Sequence, residues 1–204
     1  MNNQILEKAA LELGAQNASI VEVKDIIFNA DFRKACEANR CGKYNRCWTC
    51  PPAIGGIDEL IQKAKSFDYG LVYQTITSIE DSFDIEGMLE AGKKHNALSH
   101  QIGKCFSASG LEKWLNLSAG GCNICRRCAK LTNEPCRHPD EALSSVEAYG
   151  TSVQDLAKLS GMNYINGKNT VTYFGMFLYS LPKNSQFAEC DEGGQKRIRV
   201  VKIS

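Results

Sequence analysis

Four closely spaced cysteines in the second half of the chain constrain it more than any other sequence feature. This second cysteine group consists of Cys122, Cys125, Cys128 and Cys136. The first three have C-x2-C-x2-C spacing, which lets the chain curl so that successive sulfurs point at one centre. Such a run is typical of a cubane iron–sulfur site, and the remaining cysteine supplies the fourth ligand. The usual fourth cysteine comes sooner and is followed by proline, whereas here Pro135 precedes it.

A further set of four thiols lies closer to the amino terminus. This first cysteine group consists of Cys36, Cys41, Cys47 and Cys50. It ends in a Cys-Pro-Pro step, and proline after a last ligand turns the chain away from a cluster. The sequence therefore predicts two metal sites of four cysteines each, most simply two 4Fe–4S clusters. Ligands can also cross between the groups, as they do in two-cluster ferredoxins.

Zinc is the alternative metal for these thiols. Structural zinc usually takes two C-x2-C pairs that lie far apart, rather than three evenly stepped thiolates, so we expect iron–sulfur clusters. Four cysteines suit both two-iron and four-iron clusters, so the spacing leaves the nuclearity open.

The composition limits where and how such a chain works. Its 204 residues suit one sizeable domain, and a formal net charge of +1 argues against a dedicated nucleic-acid partner. No apolar run reaches the roughly eighteen residues of a membrane helix, and the first residues lack the pattern of a signal peptide. We therefore expect a cytoplasmic protein whose ten cysteines are metal ligands or redox groups rather than disulfides.

Helical and strand patterns alternate along the chain. Apolar residues at helical spacing predict helices over 3–15, 31–38, 57–67, 85–106, 140–148 and 152–159. Runs of β-branched and aromatic residues predict strands over 18–23, 69–79, 113–117, 170–180 and 197–203. No proline-rich or low-complexity linker divides them. The prediction is one α/β (or α+β) domain over residues 1–204, with a mixed sheet and metal loops at about 36–52 and 120–139.

Several stretches resemble the signatures of a family of small, uncharacterised proteins from anaerobic bacteria and archaea that are predicted to bind metal. CGKYNRCWTCPP at 41–52 is similar to the first signature. AGGCNICRRC at 119–128, PCRHP at 135–139 and SVEAYG at 145–150 are similar to the second. The similarity runs from about Cys36 to Ser180. The resemblance implies a metal-binding protein and brings no substrate or reaction with it.

Positive charge surrounds both cysteine groups. The basic residues are Arg40, Lys43, Arg46, Arg126, Arg127, Lys130 and Arg137. Four thiolates make a cubane cluster anionic, so nearby cations would favour its reduced state and could dock an acidic redox partner. The alternative is that these residues are solvated loop charges.

Two alternative roles are open for each of several other side chains near the cysteines. Trp48, Tyr44 and the adjacent prolines could shield the first cluster from water, or Trp48 could fill the core. Glu147 is the best candidate for a polar catalytic residue; the alternative is that Ser144 or Ser145 caps a helix and Glu147 supports that cap.

The histidines and the two remaining cysteines are not predicted ligands. His138 follows Cys136 closely and is expected beside the site or at the surface. His95 and His100 lie five apart on a helix and are expected to face solvent. Cys105 and Cys190 are expected to be small buried hydrophobic residues.

Three functions fit these observations. The favoured one is an iron–sulfur protein that transfers electrons to a larger redox protein, with no nucleic-acid or membrane partner. Assembly as a homodimer is left open. The second is an iron–sulfur enzyme that reduces or activates a bound cofactor or substrate. The third is a zinc-stabilised interaction module. Whether the chain is an enzyme, and which residues would be catalytic, stays open at this point.

Overall fold

Five strands form a mixed sheet around which the rest of the chain packs. The structure is a computed structural model that describes residues 4–192 and 195–203, without the side chains at 190–192 and 195–196. The strands are β1 Asn17–Glu22, β2 Tyr69–Ser78, β3 Lys113–Ser118, β4 Ser144–Ser145 and β5 Thr170–Ser180. Their order is β1-β2-β5-β3-β4, and every neighbouring pair is antiparallel except β3 and β4, which are parallel. The predicted α/β class with a mixed sheet is confirmed.

Five helices accompany the sheet. They are α1 Gln4–Glu12, α2 Lys34–Glu37, α3 Ile57–Lys65, α4 Ile85–Ser107 and α5 Val153–Leu159. The starts of α4 and α5 are capped, because Asp84 Oδ1 accepts from Gly87 N at 2.8 Å and Ser152 Oγ from Asp155 N at 3.2 Å. Among the described residues, no helix has both the length and the apolar character needed to cross a bilayer.

Alternation along β5 divides the interior into two cores. Phe174, Met176 and Leu178 point into one core, which α3, α5 and the segment at 146–149 cover. Phe177 and Tyr179 point into the other, which α1 and α4 cover. Both faces of the central strand are therefore buried, which explains its nearly continuous apolar sequence.

A separate hairpin was not fully predicted. Strands β6 Ser185–Glu192 and β7 Gln195–Lys202 pair antiparallel, and Phe187 and Ile198 reach the core beneath α4. The sequence pattern predicted β7 but described the β6 region as a polar turn. The single buried aromatic residue among polar neighbours gave too weak an alternation. The side chain of Cys190 lies outside the described residues, so its predicted burial stays a prediction.

The predicted helix over 140–148 is wrong. Ser144 and Ser145 instead form β4, which pairs with Leu117 and Ser118 of β3, and Glu147–Tyr149 form a single 3-10 turn. The apolar residues of this stretch fit helical spacing, but the sheet edge at β3 offers backbone partners that override this weak local preference.

The prediction that His95 faces solvent is also wrong. It is fully buried on α4, whereas His100 is half-buried. The remaining helices and strands lie within a few residues of their predicted bounds, and the helix predicted to present Cys36 is a 3-10 turn at Ala30–Arg33 that continues into α2.

Candidate metal centre

The two cysteine-rich loops lie against each other at the β4 end of the fold. The first loop connects α2 to α3, and the second leaves β3 after Ser118 and returns at Ser144. Gly121 is one point of close approach, since a Cβ there would lie 2.8 Å from Cys50 Sγ. Trp48 Nε1 of the first loop also donates to Glu134 O of the second at 2.8 Å. Residues about 80 positions apart therefore form one unit.

The eight predicted cysteines line two adjoining cavities. The first cavity, of about 180 Å³, is lined by Cys36, Cys41 and Cys50 together with Glu147. The second cavity, of about 20 Å³, is lined by Cys47, Cys122, Cys125, Cys128 and Cys136. The fold thus brings thiols of both groups together. Three of the eight cysteines line the first cavity and five line the second, whereas the sequence predicted four at each site. Within the described part of the chain, no three Cys, His, Asp or Glu side chains converge tightly enough for a single metal ion.

Cys47 is the thiol at the boundary between the cavities. It is 2 % exposed, its Sγ lies 3.4 Å from Thr49 Oγ1, and it interacts with the thiols of Cys122 and Cys50. These partners stabilise a thiolate, which holds the pKa of Cys47 far below its ordinary value. The interaction with Cys47, and then burial, raise the pKa of Cys50 and of Cys122. One of these three thiols is therefore set up to ionise before its neighbours, as a metal ligand must.

The first cavity brings a carboxylate close to a thiol. Burial, and then the nearby Glu147 charge, raise the pKa of Cys36 to about 11, while Arg33 and Ser145 act in the opposite direction. Burial also raises the pKa of Glu147 itself. Ser145 Oγ accepts from Ala148 N at 3.3 Å, which stabilises the turn that carries the carboxylate. Ser145 thus stabilises the start of a turn, as the alternative interpretation predicted. The turn is a 3-10 turn and not a helix, and its Glu147 lines the cavity.

Arg33 is a residue near the site that the sequence analysis missed. It is 7 % exposed, and its guanidinium donates to Gly55 O at 2.8 Å, which ties α2 to the start of α3. Its position three residues before Cys36 on one helical stretch was the available signal, since such residues share a face.

Four basic residues surround a cleft beside the second cavity. The cleft has a volume of about 830 Å³, and its charged lining residues are Lys43, Arg46, Arg126 and Arg127. Cys125 and Cys128 line the same cleft. The cationic surface therefore reaches two thiols of the second group directly.

The neighbouring side chains divide between the two cavities. Tyr44 lies at the first cavity as predicted, but Trp48 lines the second, with Lys130 Nζ 5.0 Å from its ring centre. Trp48 therefore does not shield the first site. His138 also lines the second cavity, with Nδ1 3.7 Å from Glu141 Oε1. Cys105 is partly buried against the α4 core, in keeping with its predicted packing role.

Comparison with known proteins places the chain in a family. A family model described as "Predicted metal-binding protein (DUF2284)" matches residues 19–179, which include every cysteine of both groups. The chain belongs to this family. Membership in DUF2284 agrees with the resemblance found in the loop signatures and supports metal binding by a cysteine-rich protein, without identifying the metal. No curated protein and no solved structure matches the chain.

Proposed function

We propose that this protein binds two iron–sulfur clusters, most simply of the 4Fe–4S type, and exchanges single electrons with a larger redox protein. The observation that carries the proposal is the meeting of eight thiols from two distant loops at two adjoining cavities. Thiolates are the soft ligands that iron–sulfur clusters take. When bound, such a cluster supplies reversible one-electron chemistry.

The residues around the thiols suit this role. Gly121 lets the loops approach closely enough for Cys50 to sit beside the second loop. Lys43 Nζ lies 3.5 Å from Cys122 O, so a positive charge lies at the junction of the two loops. Cations near a cluster favour its reduced form and raise its potential.

The basic cleft is the proposed docking surface for an acidic redox partner. Arg46, Arg126 and Arg127 are exposed there, and Cys125 lies in the same cleft. Complementary charge steers association and fixes orientation, and the partner would arrive next to the second site.

An enzyme is the second candidate, and the first cavity favours it. A concave space of about 180 Å³ beside three thiols has room for a small molecule. Glu147, whose pKa is raised by burial, lines this space. A perturbed carboxyl in a cleft is a common mark of an active site. The chemistry would be reduction or activation of a ligand bound there.

Metal and sulfide analysis of protein purified without oxygen tests the proposal. We expect about eight irons and eight sulfides per chain, with a brown colour that bleaches on reduction. Cys125→Ala should lose about half of the iron, because it removes one ligand of one cubane. Cys105→Ala, the same change at a partly buried cysteine outside the loops, should keep the full content.

Other metal contents would contradict the proposal. Zinc without sulfide would replace the redox function with the zinc-stabilised module. Full iron content in Cys125→Ala would show that the second group is not the ligand set. Clusters that cannot be reduced at any accessible potential would exclude electron transfer.

A further inference from the structure

The fold places Cys47 at a different cavity from the other three cysteines of its group. It lines the second cavity with the four cysteines of the other loop and does not line the first, although its thiol interacts with Cys50 as well as with Cys122. Trp48, the next residue, is fixed to the same loop by its bond to Glu134 O. Two consecutive residues of the first loop therefore belong to the second site.

The first cavity is left with three thiols. Cys36 and Cys41 come from α2 and the turn that follows it, and Cys50 faces them from beside Gly121. All three thiols line the same space. A cubane held here would lack one thiolate.

Glu147 lines the same cavity as these three thiols. It is partly buried, and its charge acts on the Cys36 thiol. The 3-10 turn capped by Ser145 holds its backbone at the end of β4. Its position is thus set by the sheet and not by the loop alone.

We propose that the first metal site is held by three thiolates and the carboxylate of Glu147, because Cys47 serves the second site instead. The thiolates are those of Cys36, Cys41 and Cys50. A carboxylate is a harder donor than a thiolate and binds iron or zinc less strongly than sulfur does. The metal next to Glu147 is therefore the position that a small ligand in the first cavity can reach. This inference rests on the proposed function only in taking both cysteine groups to bind metal.

The decisive experiment uses a background in which only the first site is loaded. Cys125→Ala is the background, since Cys125 lines the second cavity and not the first. Into it we would introduce Cys47→Ala or, as the matched variant, Cys50→Ala. Iron, zinc and sulfide per chain are then measured after anaerobic purification. We expect Cys50→Ala to lose the remaining metal and Cys47→Ala to keep it. Equal loss in both variants would overturn the assignment.

Further measurements distinguish a variant that does not fold, or a failure of the proposed function, from a failure of the ligand assignment. The thermal melt of each variant is recorded, and if Cys47→Ala does not fold, Cys47→Val fills the space of the buried thiol without a ligand. Zinc without sulfide in the unaltered chain would refute the iron–sulfur function, yet the same pattern of metal loss would still test the ligand assignment. Loss of all metal in Cys125→Ala alone would show one shared site and overturn the inference.

The carboxylate has its own spectroscopic test. In the Cys125→Ala background, Glu147→Gln and Glu147→Cys are compared by electron paramagnetic resonance after reduction, and by metal content. We expect Glu147→Gln to change the signal and to lower metal retention. Glu147→Cys should restore retention, with the signal of a site held by four thiolates. Identical signals and metal contents in all three proteins would show that Glu147 is not a ligand.

Discussion

At the scale of single residues, His95 shows how burial sets a pKa. The imidazole is fully buried on α4, its Nδ1 lies 2.9 Å from Thr75 Oγ1, and the ring of Tyr73 stacks on it at 5.7 Å. Burial disfavours the imidazolium and lowers the pKa of His95 from 6.5 to about 4. The folded protein therefore holds His95 neutral over a range in which the unfolded chain protonates it.

This pKa difference predicts a loss of stability in acid. The unfolded chain binds one more proton than the native state between pH 6.5 and pH 4, so the free energy of unfolding falls as pH falls through that interval. A difference of this size corresponds to about 3 kcal/mol in full, of which about 2 kcal/mol is lost between pH 7 and pH 5. Urea unfolding of the wild type and of His95→Gln measures it.

The variant should show a smaller loss between pH 7 and pH 5 than the wild type. Above pH 7 the two stability curves should run parallel, which is the internal control, because His95 is neutral in both states there. Equal losses in acid would mean that His95 is not the group responsible.

The sequence contained a signal for this burial that was not used. Ala91, Leu98, Ile102 and Phe106 form a buried stripe at helical spacing, and His95 fills the position between the first two. The five-residue interval between His95 and His100 does not show which face of the helix either histidine occupies. A polar residue within an apolar stripe shares its face, whatever its own polarity.

At the scale of elements, Gly121 is where the two cysteine loops meet. A Cβ at this position would lie 2.8 Å from Cys50 Sγ and 2.9 Å from Lys43 Cγ, closer than atoms normally approach. We predict that Gly121→Ala displaces Cys50 and lowers metal content at the first site, with an overpacking cost of about 1–3 kcal/mol. Metal analysis and thermal melts of the purified variant measure both effects.

Gly92→Ala is the matched control for this substitution. Gly92 lies on α4, and a Cβ there would be 3.5 Å from the Tyr173 ring, which is ordinary contact. This variant should retain full metal content, since alanine favours a helix. Unchanged metal content in Gly121→Ala as well would show that the loops are free to separate.

Strand β4 and strand β6 show where local patterns stop predicting elements. Ser144 and Ser145 have no strand character of their own and pair with β3 only because a long loop returns there. Phe187 is the one large apolar side chain of β6 that is buried among the described residues. Both strands are determined by partners distant in sequence, whereas β2 and β5 carry their own apolar runs and were predicted closely.

At the scale of the whole molecule, the cores and the cysteine loops are separate structures. Among the described residues, no cysteine of either group belongs to the two hydrophobic clusters on the faces of the sheet. A chain of this length buries enough apolar surface to fold without metal staples. We therefore expect the sheet and its two cores to fold without bound metal.

Removal of metal should accordingly disorder the loops and spare the sheet. After treatment with a chelator, we predict a far-ultraviolet circular dichroism spectrum close to that of the untreated protein and a cooperative melt. Trypsin should cut rapidly after Arg126 and Arg127, which are exposed in the second loop. Lys104, on α4, should stay protected as the control. Global unfolding on chelation would show that the metal holds the cores together.

The division of the thiols between the cavities could not be predicted from spacing. Spacing records only how cysteines lie along one segment, whereas the structure gathers these eight cysteines at two cavities. Which cavity Cys47 enters depends on how two loops pack, through Gly121 and through the bond from Trp48 to Glu134. That packing is set by β3 and β4, whose pairing was itself not predicted.

The parallel pairing of β3 with β4 has a consequence for engineering. Leu117 lies opposite Ser144, so the two ends of the 119–143 segment are attached to neighbouring strands, about 5 Å apart. The segment leaves and rejoins the sheet at almost the same place, and its length enters the closure entropy only logarithmically. Residues 119–143 can thus be lengthened or exchanged at little entropic cost, provided that Gly121 and Glu134 keep their contacts with the first loop.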